Sequence, residues 1–164
     1  SDITMPDIDI NSQTDGRQSN GSATWTVTTD QGTYTMTIKA STNPAFTSAT
    51  DNFANYSGPT YGWSVDPTAS AFGFSPAGPH IDSAYQHNGS ACGTGPNTNG
   101  NCWNGLSTTA RTIVDSEDAP VVLDLSTSFL TGSTTVSFRA EVGSAKVQAE
   151  ETYQANITVT ATAT

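Results

Sequence analysis

Three neighbouring acids, Asp115, Glu117 and Asp118, are the side chains whose spacing comes nearest to a chemical task. Hard carboxylate oxygens on one turn can hold calcium weakly at extracellular concentrations. A plain solvated loop accounts for the same three residues and is the simpler reading. A second acidic run, Asp7-Ile-Asp9-Ile-Asn11, begins like an EF-hand loop, but its sixth position is Ser12 where glycine is needed and its twelfth is Gln18 where a bidentate glutamate is needed. His80 and His87 could be drawn into a Ser-His-Asp set, yet no Gly-x-Ser-x-Gly elbow positions a nucleophile, so surface histidines are expected. Glu117, Glu141, Glu150 and Glu151 could supply paired carboxylates for glycoside hydrolysis, but Glu141 falls on the outward face of its strand and solvated acids explain the rest. Phosphate-cradling glycine motifs are absent. Neither an enzyme nor a cofactor is expected.

Cys92 and Cys102 flank a short polar loop rich in glycine and asparagine. A disulfide closing that loop fits an exported protein and is worth roughly 3 kcal/mol by chain entropy. Zinc would need two more soft ligands, and the spacing of His80 and His87 matches no finger pattern. Trp103 is expected to anchor the loop on the core.

Aromatic residues crowd the middle of the chain: Phe46, Phe53, Tyr56, Tyr61, Trp63, Phe72 and Phe74. Core packing is the expected use of such rings; a groove for surface glycans, with Tyr61 and Trp63 as stacking platforms, is the functional alternative. Glycosylation sequons stand at Asn20, Asn55 and Asn88 in expected turns or loops, and at Asn156 on an expected strand.

The elements that must position these groups are strands. Threonine occurs 28 times and serine 19 times, while leucine and lysine together number six, so residues suited to a pleated surface dominate and helix formers are scarce. Charged residues are only 12% of the chain, which leaves hydroxyls to carry the polar faces. A net charge of -10 repels phosphate backbones, so nucleic acid is not an expected partner. No apolar run approaches the ~20 residues of a membrane span. Ser1 in place of methionine is what signal-peptide removal leaves, and equally what a cut at a chosen boundary leaves.

Apolar residues recur with period two over residues 23–29, 33–39, 121–125, 136–142 and 153–163, the last being the longest. Asp30, Gln31 and Gly32 are expected to turn a hairpin between the first two. Residues 43–110 read as long loops, with short strands at 61–65 and 71–74. The expected fold is an all-β, Ig-like or jelly-roll β-sandwich with long central loops. Residues 22–164 form the sandwich, and residues 1–21 are read as a strand and linker.

Ile3, Met5, Ile8 and Ile10 make the opening segment apolar on alternate positions, and Pro6 shifts the phase between the two pairs. This strand can fold back into its own sheet. It can also pair with a neighbouring copy in the donor-strand manner, and repeated head to tail such a contact gives a fibre.

The stretch Val136-Ser-Phe138-Arg-Ala140-Glu-Val142-Gly-Ser-Ala-Lys146-Val-Gln148, followed by Thr152-Tyr153-Gln-Ala155-Asn-Ile157-Thr-Val159-Thr-Ala161, resembles the closing hairpin of small secreted β-sandwich proteins of prokaryotic cell surfaces. These include pilin-like and fimbrial subunits, surface proteins of bacterial candidate phyla and, more distantly, wall-binding domains of the Trp-x-Leu type, whose signature is absent here. Trp25 to Lys39 resembles the early hairpin of the same proteins. The resemblance implies export, a sandwich fold and a structural or adhesive role.

Overall fold

The computed structural model describes residues 2–9, 17–117 and 130–164. It is an all-β sandwich. One sheet has five strands in the order β1-β9-β6-β4-β3: β1 (Gln18–Thr29), β9 (Leu130–Val142), β6 (Ser70–Ala77), β4 (Asn52–Asn55) and β3 (Phe46–Thr47). The facing sheet runs β10-β2-β8: β10 (Ile157–Ala163), β2 (Tyr34–Ala40) and β8 (Arg111–Asp115). A two-stranded ribbon joins β5 (Thr60–Tyr61) to β7 (Cys102–Trp103). Apart from the parallel pair β4/β6, every ladder is antiparallel. The alternation seen in the sequence is the alternation of faces: Tyr34, Met36, Ile38 and Ala40 of β2 are buried opposite Val136, Phe138, Ala140 and Val142 of β9, within one core cluster.

Both expected hairpins are absent. The strands before and after Asp30–Gly32 lie in different sheets: β1 bonds along its length to β9, and β2 to β10 and β8. The corner is a tight local turn in which the Gln31 amide donates to Thr29 Oγ1 at 3.0 Å. Beyond it β2 is captured from the side by the end of β8, since the Tyr34 amide donates to Ser116 Oγ at 2.7 Å and the Ser116 amide to the Tyr34 carbonyl at 3.1 Å. The closing hairpin fails for a similar reason. After Val142 the chain follows the approach to β6, with Gly143 and Ala145 amides bonded to Ala69 and Pro67 carbonyls, and then crosses to the other sheet. The final strand begins only at Ile157, because Tyr153 turns in to meet Phe53 edge-on at 4.9 Å. The longest strand is therefore β9, at 13 residues.

The central region is better ordered than its punctuation suggests. Of the expected strand at 61–65 only Tyr61 lies in a strand, the two-residue β5, whereas that at 71–74 grows to the eight residues of β6, seven of them buried. β6 is covered on both faces. Phe72 stacks on Phe46 at 4.4 Å in the core, while Ala71, Gly73 and Ser75 face the central loops on the other side. The set at 121–125 lies outside the described residues. Residues 18–21, read from sequence as the end of a linker, are the first residues of β1.

At the margin of the core, the atoms Tyr34 Oη and His80 Nδ1 are buried without a hydrogen-bond partner, and the two rings meet edge-on at 5.9 Å. They fit because position 132 of β9 has no side chain; a methyl there would run into Tyr34 Oη and come within 2.9 Å of His80 Cδ2. Gly132→Ala is expected to destabilise the fold by about 1–3 kcal/mol in urea unfolding. Combining it with Tyr34→Phe, which removes an unpaired buried hydroxyl, is expected to restore more than half of that loss. A double variant no more stable than Gly132→Ala would contradict this packing.

Candidate functional site

The central excursion folds onto the outer face of the five-stranded sheet, and glycines make the contact close. A side chain at Gly58 would strike the Trp103 carbonyl, and one at Gly105 the Tyr56 carbonyl, so the two loop backbones run against each other. Gly73 of β6 leaves room for Tyr56 and Trp63 above it. Tyr56 stacks on Trp63 at 4.2 Å, and Trp63 meets Trp103 edge-on at 5.0 Å. The Arg139 guanidinium of β9 lies over both indoles, 4.9 Å from the Trp103 ring and 5.6 Å from that of Trp63. Trp63 Nε1 donates to Glu141 at 2.6 Å, and Arg139 Nε donates to Asn20 Oδ1 at 2.7 Å. Glu141 does face outward, but it is a bonded partner of the excursion and not a solvated acid.

Of the two candidate platforms, then, Trp63 has its ring engaged from within by Tyr56 and Arg139. Tyr61 keeps 39% of its surface exposed and leans on the His87 ring at 4.9 Å. His87 is not a surface histidine. It is buried against the loop closed by the Cys92–Cys102 disulfide, whose Cα atoms are 5.8 Å apart. Its backbone exchanges two hydrogen bonds with Asn97, its Nδ1 accepts from the Gly89 amide and its Nε2 pairs with Asn99 Oδ1. Sequence reasoning missed this role, because the buried position of the ring follows from the loop closing around it. Trp103 is buried, but against Trp63 and Arg139 on the outer face of the sheet and not within the core cluster between the sheets.

Asp115 Oδ1 accepts from the Glu117 amide at 3.1 Å in a local turn, and Asp118 lies outside the described residues. Among the described residues no three histidine, cysteine, aspartate or glutamate side chains are grouped so as to hold a metal ion. Asp51, an acid the sequence did not single out, is held by several partners. Asp51 Oδ2 accepts from Gln148 Nε2 at 2.8 Å and from the Ala149 amide at 3.2 Å, and its Oδ1 accepts from the Asn52 amide. Asp51 thus ties the β3–β4 turn to the segment that leads into β10.

Asn20 is exposed and bonded to Arg139. Asn55 accepts from the Ala45 amide and donates to Asn43, and Asn88 caps its own turn by accepting from the amides of Ser90 and Ala91. No helix among the described residues is long and apolar enough to cross a membrane.

Residues 2–9 form no strand. They lie on the inward side of β1, where Gly21 opens a notch: a Cβ at that position would come within 2.7 Å of Ile3 Cγ2 and 3.0 Å of Met5 Cγ. Ser19 Oγ donates to the Pro6 carbonyl, and Met5 and Ile8 pack against the core. Ile10 lies outside the described residues. Arg17 pins the root of β1, donating to the carbonyls of Val142 at 3.0 Å, Gly143 at 2.7 Å and Lys146 at 3.0 Å. Compared with models of protein families, with curated proteins and with solved structures, the chain matches none.

Two outcomes test this account. Cys102→Ser is expected to lower the unfolding free energy by roughly 3 kcal/mol in urea. Acid stability tests Asp51. The backbone amides of Ala149 and Asn52, foremost, hold its carboxyl below the usual carboxylate range. A carboxyl depressed in the folded state stabilises that state above its unfolded pKa of about 3.9, and the contribution disappears as pH falls through the lower folded value. Asp51→Asn is therefore expected to melt at a lower temperature than the parent at pH 7, with the gap closing towards pH 2.

Proposed function

We propose that this protein is an exported structural subunit of a cell-surface filament, joined by exchange of the N-terminal segment between copies. The observation that carries the reading is the seating of residues 2–9. Apolar side chains of this segment occupy a notch at Gly21, yet no ladder ties the segment to either sheet, and Ile3 stays 36% exposed. A segment held by a few side chains in its own molecule is exchangeable at low cost for the same segment of a neighbour, which meets the same notch. Arg17 fixes where the domain begins, whichever copy supplies the segment. The disulfide suits an oxidising compartment. Head-to-tail exchange does not close on itself and therefore propagates.

An adhesive or glycan-binding module is the second reading, favoured by one observation, the exposed ring of Tyr61 on β5, which is paired with Cys102 of the disulfide. A secreted hydrolase draws least support, since Glu141 is committed to Trp63 and Asp51 to the backbone around it.

Electron microscopy and light scattering of the purified chain test the proposal. The parent is expected to form filaments. Deletion of residues 1–10, and separately Gly21→Val, which fills the notch, are expected to leave folded monomers by circular dichroism. A parent that stays monodisperse at high concentration, or a truncated chain that still polymerises, would overturn it.

A further inference from the structure

The outer face of the smaller sheet is a lattice of threonines. Tyr34, Met36 and Ile38 of β2 point into the core, so Thr35 and Thr37 point out; Ile157 and Val159 of β10 pack on the core, so Thr158, Thr160 and Thr162 point out. The register sets Thr37 opposite Thr160 and Thr35 opposite Thr162, and just past the strand ends Thr33 stands opposite Thr164, with their hydroxyls 2.6 Å apart. Thr112 of β8 extends the row beyond Thr37. The threonines of β10 are exposed, and those of β2 are half-buried between neighbouring strands. Alternate residues of a strand repeat at ~6.8 Å and neighbouring strands at ~4.8 Å, which makes a two-dimensional array of paired hydroxyl and methyl groups.

The array of eight threonines holds no charged side chain, in a chain whose net charge is -10; Lys39, opposite Thr158, and Asp115, opposite Thr35, stand at its border. The complementary surface is therefore neutral, repeats at those spacings and both gives and takes hydrogen bonds, as each threonine hydroxyl does. A crystalline polysaccharide would call for aromatic rings to stack on its sugars, and this array has none. Ordered water satisfies all three requirements, because the oxygen repeats on faces of hexagonal ice lie close to both spacings, and the methyl rows leave troughs in which water can be held.

We propose that the β2/β10 threonine face is an ice-binding surface. The outer face of β1 and β9 is the natural control. There Ser22, Thr24, Thr26 and Thr28 stand opposite Ser137, Thr135, Ser133 and Thr131, so serine breaks the methyl repeat at three of eight positions.

Ice recrystallisation and thermal hysteresis, measured on the full chain against equal masses of serum albumin, test the proposal. The parent is expected to keep ice grains small and to shape single crystals. Thr160→Tyr and Thr162→Tyr, with unchanged melting temperatures, are expected to raise the concentration needed by about tenfold or more, the equivalent of about 1.4 kcal/mol of binding. Thr26→Tyr on the opposite face is expected to act like the parent. Ice growth indistinguishable from that in albumin would overturn the proposal. So would full activity in Thr160→Tyr, or an equal loss in Thr26→Tyr. The chain lacking residues 1–10 separates this surface from filament formation, since it is expected to lose polymers and keep its effect on ice.

Discussion

Strand β9 is the interaction on which the rest of the structure depends. It pairs with β1 over twelve residue positions and with β6 over eight, so one thirteen-residue strand holds the five-stranded sheet together. Its inward side chains Val136, Phe138, Ala140 and Val142 are core residues. Its outward side chains Arg139 and Glu141 hold the central excursion through Trp103 and Trp63, and Arg139 also bonds Asn20 of β1. At Gly132 it makes room for Tyr34 of the facing sheet, and beyond Val142 its carbonyls receive Arg17 at the root of β1. Both faces and both ends of one strand are therefore engaged.

This arrangement explains why the long middle region is ordered although its sequence is broken by glycine and proline. Loop backbone is buried only when its polar groups find partners. Here Asn104 exchanges two backbone hydrogen bonds with Phe74, and His87 exchanges two with Asn97 inside the disulfide loop. The loops thus extend the sheet beside β6 and roof its outer face. The rings that resembled a ligand platform in the sequence hold this roof in place, and only Tyr61 keeps a broad exposed surface.

The N-terminal segment and the threonine face stand apart from that framework. One is apolar and loosely seated; the other is neutral, regular and free of aromatic groups. Met5 and Ile8 of the segment pack against the core while Ile3 stays partly exposed, and the threonines of the face point away from it. A filament whose subunits expose hydroxyl lattices would carry the same array along its whole length.

Alternation at Tyr34, Met36 and Ile38, at Val136 to Val142 and at Ile157 and Val159 determined by itself that these segments are strands and which of their faces is buried, because side-chain period and burial are written in the residue types. The pairing of Cys92 with Cys102 was legible as well, since a ten-residue spacing leaves a loop the two sulfurs can close. Tertiary structure alone decided which strands are neighbours. Ladder hydrogen bonds are made by backbone groups that every residue shares, so nothing in the sequence near Asp30 distinguished a hairpin from a crossing between sheets until Ser116, 82 residues away, met Tyr34. The same holds for His87, Glu141 and Asp51, whose partners Asn99, Trp63 and Gln148 are brought to them by the fold.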